Sequence, residues 1–372
     1  MKLSTRMRYA LPLACVLCAA VCGSLPATAT ERTAGQTDQI GTPARSNARI
    51  GSALFLAVTR AGARLVAVGE RGFVLLSDDA GRTWRQARSV PVSVTLTNVR
   101  FVSAELGWAS GHAGVVLHSR DGGESWVRQL DGTQAAALVL EDAQAGLAQG
   151  DEAASRLLRD AEGLVADGPD KPLLGLHFSD ERHGWVVGAY GLALATDDGG
   201  RSWHSIMRRV DNRAGKHLYD IREGEGSLVI AGEQGVLLRA ENGGEHFAPL
   251  ASPYAGTYFG TLSAGGSLLA YGLRGNVYRR SEAATDWQKI DPGLPVTVTA
   301  AIELVDHSIV LADQTGRVLR SHDGGKRFAA LPASGSRSFT GLAQAGDGAL
   351  ILSGMGGMTR IEPDVLAMEA QR

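Results

Sequence analysis

One short pattern, returning about every forty residues, limits what this chain can fold into. A complete copy opens on a Gly-x-x-Gly turn, continues through an apolar run, and closes on a box of the form Ser/Thr-x-Asp-x-Gly-x-Ser/Thr-Trp. Gly69–Gly72 leads to Ser77, Asp79, Gly81 and Trp84. Gly111–Gly114 leads to Ser119, Asp121, Gly123 and Trp126, and Gly188–Gly191 to Thr196, Asp198, Gly200 and Trp203. The fourth copy, Gly232–Gly235, precedes Asn242–Phe247, and the fifth, Gly272–Gly275, precedes a degenerate box ending at Trp287. The sixth joins Asp313–Gly316 to Ser321, Asp323, Gly325 and Phe328, while the seventh retains only Gly354–Gly357. The last glycines of the turns fall at 72, 114, 191, 235, 275, 316 and 357, separated by 42, 77, 44, 40, 41 and 41.

A period near forty with alternating strands means one four-stranded blade per repeat. Seven repeats predict an all-β, seven-bladed β-propeller of antiparallel blades. Apolar runs such as Leu65–Val68 and Leu228–Ala231 supply the second strand of a blade. The glycines of the turn are expected to provide the positive φ of a tight hairpin. Within the box, short polar side chains can bond backbone N–H groups, and the aromatic packs between blades. Trp84, Trp126, Trp203 and Trp287 close boxes, and Trp108 and Trp185 precede the turn of their repeats, so all six tryptophans are assigned to packing.

The N-terminus reads as an export signal. Lys2, Arg6 and Arg8 precede an apolar stretch from Ala10 to Val21, and Ala27-Thr28-Ala29 forms a small-residue cleavage site. Residues 1–29 are therefore expected to be a signal peptide, cut after Ala29, that sends the protein to the periplasm or outside the cell. All three cysteines (Cys15, Cys18 and Cys22) lie in this segment. A mature chain without cysteine has no disulfide scaffold, zinc–thiolate site or thiol nucleophile. Val21 is a poor residue before a lipidated Cys22. Removing the three basic residues takes the formal charge from −2 to −5, with no basic bias towards nucleic acid and no second membrane span.

Residues 30–49 read as a polar linker, 50–361 as the propeller and 362–372 as a C-terminal tail. The seventh repeat has no box after Met358–Ile361, so one blade lacks its outer strand. A strand from residues 36–50 is expected to fill that place, because an open seam leaves unpaired edge groups. The gap of 77 holds an insertion between blades 2 and 3. Over 133–166 its leucines recur at helical spacing, broken by Gly150-Asp151, which predicts a helical hairpin with Asp151 capping the second helix. The hairpin is expected over the rim that carries Glu70, Arg71, His112, Tyr190, Glu233, Gln234 and Arg274.

The boxes are those of the Asp-box, or bacterial neuraminidase, repeat. From about residue 50 to 360 the chain resembles the photosystem II assembly and stability factor family, including its relatives in non-photosynthetic bacteria. Leu173–Phe178, Gly184–Gly188 and Asp198–Trp203 carry most of the likeness. The resemblance implies a non-catalytic accessory factor to a membrane protein complex or transporter. The helical insertion points to the non-photosynthetic branch. A monomer is expected, with Arg71, His112, Tyr190, Gln234 and Arg274 as rim contacts.

The alternative is an Asp-box glycoside hydrolase of sialidase type. That reaction needs an arginine cluster and a tyrosine nucleophile with a carboxylate base, or two facing acids. Arg71 and Arg274 could join such a cluster, Tyr190 or Tyr271 could serve as nucleophile, and Glu70 and Glu233 as the acids. No sialidase-type arginine motif precedes the first box, and no third member of the cluster is identifiable. The nine histidines fall in no metal-ligand spacing, and Asp78, Asp79, Asp197 and Asp198 resemble calcium loops only superficially. No cofactor and no metal are expected.

Overall fold

The computed structural model describes residues 38–47, 50–151, 154–224, 226–281, 284–332 and 337–367. The expected signal peptide, its cysteines and the end of the C-terminal tail lie outside these residues.

Seven antiparallel sheets form the ring, six with four strands and the last with three. Each blade runs from an inner strand outwards, as in Leu96–Phe101, Gly107–Gly111, Val116–Ser119 and Val127–Leu130 of blade 2. The Gly-x-x-Gly turns join second and third strands on one face. The boxes join third and fourth strands on the other, beside the turns that join first and second strands. Apolar side chains of the middle strands, such as Val66, Val68, Val74 and Leu76, are fully buried and pack against Val99, Ala109, Leu117 and Trp126 of the next blade. The core is thus a series of seams between blades, each built by alternation along the strands.

The box glycines have two reasons to be glycine. Gly81, Gly123, Gly200 and Gly325 all have φ between 81° and 87°. A Cβ on Gly123 would also lie 3.1 Å from Leu76 of the preceding blade, and one on Gly81 would lie 2.6 Å from Ile351. The first glycine of each turn has a different reason from the one expected. Gly69, Gly111, Gly188 and Gly272 are extended, and a Cβ on Gly69 would meet the Leu54 carbonyl oxygen at 2.1 Å. The inner strand presses its backbone against that position.

Closure also differs from expectation. Residues 36 and 37 lie outside the described residues, 38–41 are helical, and 43–47 belong to no strand. Among the described residues, no strand from this segment joins blade 7. The segment has only two large apolar residues, and Ile40 is drawn into the cluster of Val90, Val92 and Val94 at the blade 1–2 seam. Burying an isoleucine contributes about 2 kcal/mol, which a solvent-facing edge strand would forgo. Ile50–Ser52 instead forms a short turn against Gly357. Arg82 pairs with Asp347 at 2.9 Å across the seam of blades 1 and 7, and Arg360 of blade 7 joins the same carboxylate at 2.8 Å. The open third strand carries Arg360 and is followed by Pro363 in a short helix whose Leu366 is buried, so the edge is charged and covered.

The insertion is the expected hairpin, with helices at Gly132–Ala148 and Ala154–Asp167. Asp131 caps the first, accepting from Thr133 and Gln134 N–H while Gln134 accepts from Asp131 N–H. The Asp151 carboxylate faces Arg208 at 3.2 Å. The same arginine takes Asp142 at 3.3 Å, and Gly146 leaves room for it, since a Cβ there would lie 2.9 Å away. Val139, Ala143, Ala161 and Leu164 join the buried cluster of Leu173, Leu192 and Trp203. The hairpin therefore packs on blade 3 and the 112–114 turn and does not stand over the whole rim.

Candidate functional site

Two surfaces of the ring could meet a ligand: the rim of Gly-x-x-Gly turns and the central channel. In blades 1, 3, 4 and 5, Arg71, Tyr190, Gln234 and Arg274 have φ of 56°, 57°, 52° and 57°, each followed by a left-handed glycine. Two successive left-handed residues make the turn that matches the twist of a hairpin. These four side chains therefore project from equivalent points and are exposed. His112 is exposed one position earlier, because Ala113 occupies the left-handed place in blade 2.

The five residues are strung around the rim on five blades. Arg71 lines a depression with Gln39, Pro43 and Arg45, and Arg274 lines another with Asp291 and Leu294. Tyr190 has Lys171 Nζ 4.9 Å from its ring centroid, and its N–H donates to His217 Nδ1 at 2.8 Å. Glu70 and Glu233 turn inward: Glu70 accepts from Leu54 N–H at 3.1 Å and Glu233 from His217 N–H at 2.8 Å. Both carboxylates thus hold the entrance of an inner strand. Tyr271 is buried, which pushes its phenol up to about 12 and keeps it protonated.

The box acids are consumed within their own turns. Asp121 Oδ1 accepts from Ser119 Oγ and Ser125 N–H, both at 2.9 Å, and its Oδ2 accepts from Ser125 Oγ. Ser119 Oγ in turn accepts from Gly123 N–H at 2.9 Å. The same pattern recurs with Ser77 and Asp79, with Thr196 and Asp198, and with Ser321 and Asp323. Trp126 Nε1 donates to Gly123 O at 2.9 Å and Trp84 Nε1 to Gly81 O at 3.2 Å. Trp203 is also buried at its seam, and Phe328 packs at the blade 5–6 seam. Hydrogen bonds from Thr83 chiefly hold the Asp79 carboxyl down at about 2. No group of three His, Cys, Asp or Glu gathers as metal ligands among the described residues.

The channel was not singled out from the sequence. It encloses about 570 Å³ and is lined by the inner strands. Counting along those strands from Leu96, Leu173 and Leu218, the fifth residues are Arg100, His177 and Arg222, on three consecutive blades. Arg222 Nε lies 3.1 Å from Asp220 Oδ2, which also accepts from Thr261 N–H at 3.1 Å. Burial lowers the Arg100 guanidinium, and the Arg222 charge adds to the effect. Burial pushes the His177 imidazole down to about 3, with Arg100 and Arg222 acting in the same direction. Glu223, 3.6 Å from His177 and half exposed, does not offset this. Register was the signal available beforehand, but it emerges only when inner strands are aligned on their first residue and not on the glycines.

A family model described as photosynthesis system II assembly factor YCF48 matches residues 35–148 and 165–291. The chain belongs to this family. The unmatched stretch between the two parts falls on the second helix of the hairpin. Against the photosystem II assembly lipoprotein Ycf48 of Synechococcus sp. (strain CC9902), the chain is 30% identical over 123 residues, which cover 31% of this chain and 35% of that protein. The aligned stretch thus spans about a third of the curated relative's length. A solved structure of YCF48 bound to D1 peptide matches with a TM-score of 0.61 and 17% identity, covering 86% of this chain and 98% of that one. The GH74 xyloglucanase from Xanthomonas campestris matches with a TM-score of 0.62 and 14% identity, over 85% of this chain and 53% of that one. At these identities the likeness to the two structures is one of fold, shared by a peptide binder and a hydrolase alike.

Proposed function

We propose that this member of the YCF48 family is a non-catalytic periplasmic scaffold. It binds an exposed segment of a membrane protein complex as an accessory factor, and works as a monomer. One observation carries the reading: Glu70 and Glu233, the acids a hydrolase would use, are each spent on a backbone N–H at the entrance of an inner strand. The box bonds tie each turn to its own blade, and the residues that differ from repeat to repeat are left to the rim turns. Rim loops on a fixed scaffold suit recognition of a partner. A YCF48 structure has been solved with a D1 peptide, which supports a protein segment as the ligand here too. Arg71, His112, Tyr190, Gln234 and Arg274 are the proposed contacts. Among the described residues no helix is long and apolar enough to cross a membrane, so the membrane component is assigned to the partner.

The test is crosslinking of tagged mature protein in its own envelope fraction, beside a variant with Arg71, Tyr190 and Arg274 changed to Ala. Capture of a membrane complex by the wild type, lost in a variant of unchanged melting temperature, supports the scaffold. Turnover of any substrate in a sialoside and glycoside panel, with no captured complex, overturns it in favour of the glycoside hydrolase.

A further inference from the structure

Blade 4 keeps the turn of the box without the bonds that hold it elsewhere. Ala240, Asn242, Gly244 and His246 stand where blade 2 has Ser119, Asp121, Gly123 and Ser125. The end of the turn is retained, since Gly244 has the φ of Gly123, 87°. The side-chain bonds go with the hydroxyls. Gly244 N–H donates to Glu241 O at 3.3 Å, whereas Gly123 N–H donates to the serine oxygen at 2.9 Å. Asn242 has itself gone over to φ 53°, so three left-handed residues follow one another where the full boxes have two.

The same change leaves a reactive pair open to water. Asn242 is the only asparagine of the chain that precedes a glycine. Both residues are exposed, and a Cβ on Gly243 would meet nothing within 4 Å. Among the described residues, neither the Asn242 side chain nor Gly243 N–H makes a hydrogen bond. The equivalent N–H groups of Gly122 and Gly199 are held by Glu105 O at 3.0 Å and Arg182 O at 2.8 Å. The amides of Asn212 and Asn276 are likewise held, by Lys216 O at 2.8 Å and Leu273 O at 2.9 Å.

We infer that Asn242–Gly243 is a self-modification site, at which the folded protein deamidates with water as its only co-reactant. Gly243 N bonds to the side-chain carbonyl carbon of Asn242. The carbon–nitrogen bond of the side-chain amide breaks, and its nitrogen leaves as ammonia with the proton from Gly243 N–H. The cyclic imide then takes up one water. Opening at the side-chain carbonyl gives aspartate, and opening at the main-chain carbonyl gives isoaspartate. Glycine favours the closure, because without a Cβ its backbone turns freely and its nitrogen is accessible. Either product adds a negative charge between Glu241 and Glu245, on the face opposite the Gly-x-x-Gly rim. Aspartate returns the acid that this box lacks, whereas isoaspartate lengthens the main chain of the turn by one carbon. This site goes beyond the scaffold reading and does not depend on it.

The test incubates the folded mature protein in mildly alkaline water enriched in heavy oxygen and maps its peptides by mass spectrometry. The peptide carrying position 242 gains one heavy oxygen, in aspartate and isoaspartate forms, at a rate close to that of a synthetic peptide of residues 239–247. Peptides carrying the other asparagines gain none over the same interval. Gly243→Ala slows the reaction on the order of tenfold, since a side chain there restricts the backbone. Ala80 holds the same place in blade 1 at φ 61°, so this variant keeps the turn. Ala240→Ser with His246→Ser returns the hydroxyls that hold Asp121 in blade 2, and slows the folded protein but not the synthetic peptide. A folded protein that reacts an order of magnitude more slowly than the peptide overturns the site. So does a rate at Asn242 no higher than at the other asparagines, or a rate unchanged by Gly243→Ala.

Discussion

Thr340 Oγ1 donates to the Phe55 carbonyl oxygen at 2.7 Å, joining the inner strand of the last blade to that of the first across 285 residues of sequence. Thr97 makes the same bond to Leu173 O at 2.6 Å, and Thr299 to Phe339 O at 2.7 Å. The bond is thus a repeated seam device, but at the closing seam no strand crosses to reinforce it. Thr340→Val is expected to cost about 1 kcal/mol, the net value of one hydrogen bond. Urea unfolding gives the number. Hydrogen exchange should show faster opening of Phe339–Gln344 in this variant, and no such local opening of Leu96–Phe101 in Thr97→Val.

The box tryptophans are not equally buried. Trp203 is 6% exposed and Trp126 3%, while Trp84 is only partly covered. Trp203→Ala is therefore expected to cost about 3–5 kcal/mol, as buried aromatic truncations do, and Trp84→Ala clearly less. Denaturation midpoints of the two variants check the order.

Gln234 holds φ at 52° and is exposed on the rim. A left-handed conformation costs a non-glycine residue roughly 1–2 kcal/mol, part of which glycine regains against its own entropy. Gln234→Gly should raise stability by up to about 1 kcal/mol in thermal unfolding. If Gln234 is a contact residue, the same variant also weakens partner capture, separating strain from binding.

Stability should fall with acid in two stages. Burial depresses His118 to about 4 and His177 to about 3, against 6.5 for an ordinary histidine. The unfolded chain therefore takes up protons that the folded one refuses. Stability is full above about pH 6.5 and declines as pH falls towards 3, by on the order of 2 kcal/mol per histidine. Asp79 and Asp347, both held near 2, add a second loss as pH drops below 3.8. Urea midpoints between pH 8 and 3 trace the curve, and His177→Gln should flatten the stage between 6.5 and 3.

The sequence by itself determined the ring. The box at Asp79, Asp121, Asp198 and Asp323 makes local hydrogen bonds within a few residues, so its pattern is complete in the chain, and the seven recurring turns give the number of blades. The hairpin was equally legible, because helical spacing is local too, whereas the Asp131 cap of its first helix came from the structure. Tertiary structure decided what depends on distant parts of the chain. Ile40 belongs to the seam of blades 1 and 2 and not to a closing strand, since the apolar pocket that draws it exists only after the blades meet. Arg100 and Arg222 come from separate repeats, and nothing in their spacing sets them in one wall. Both reach the channel wall only when the inner strands converge on the axis.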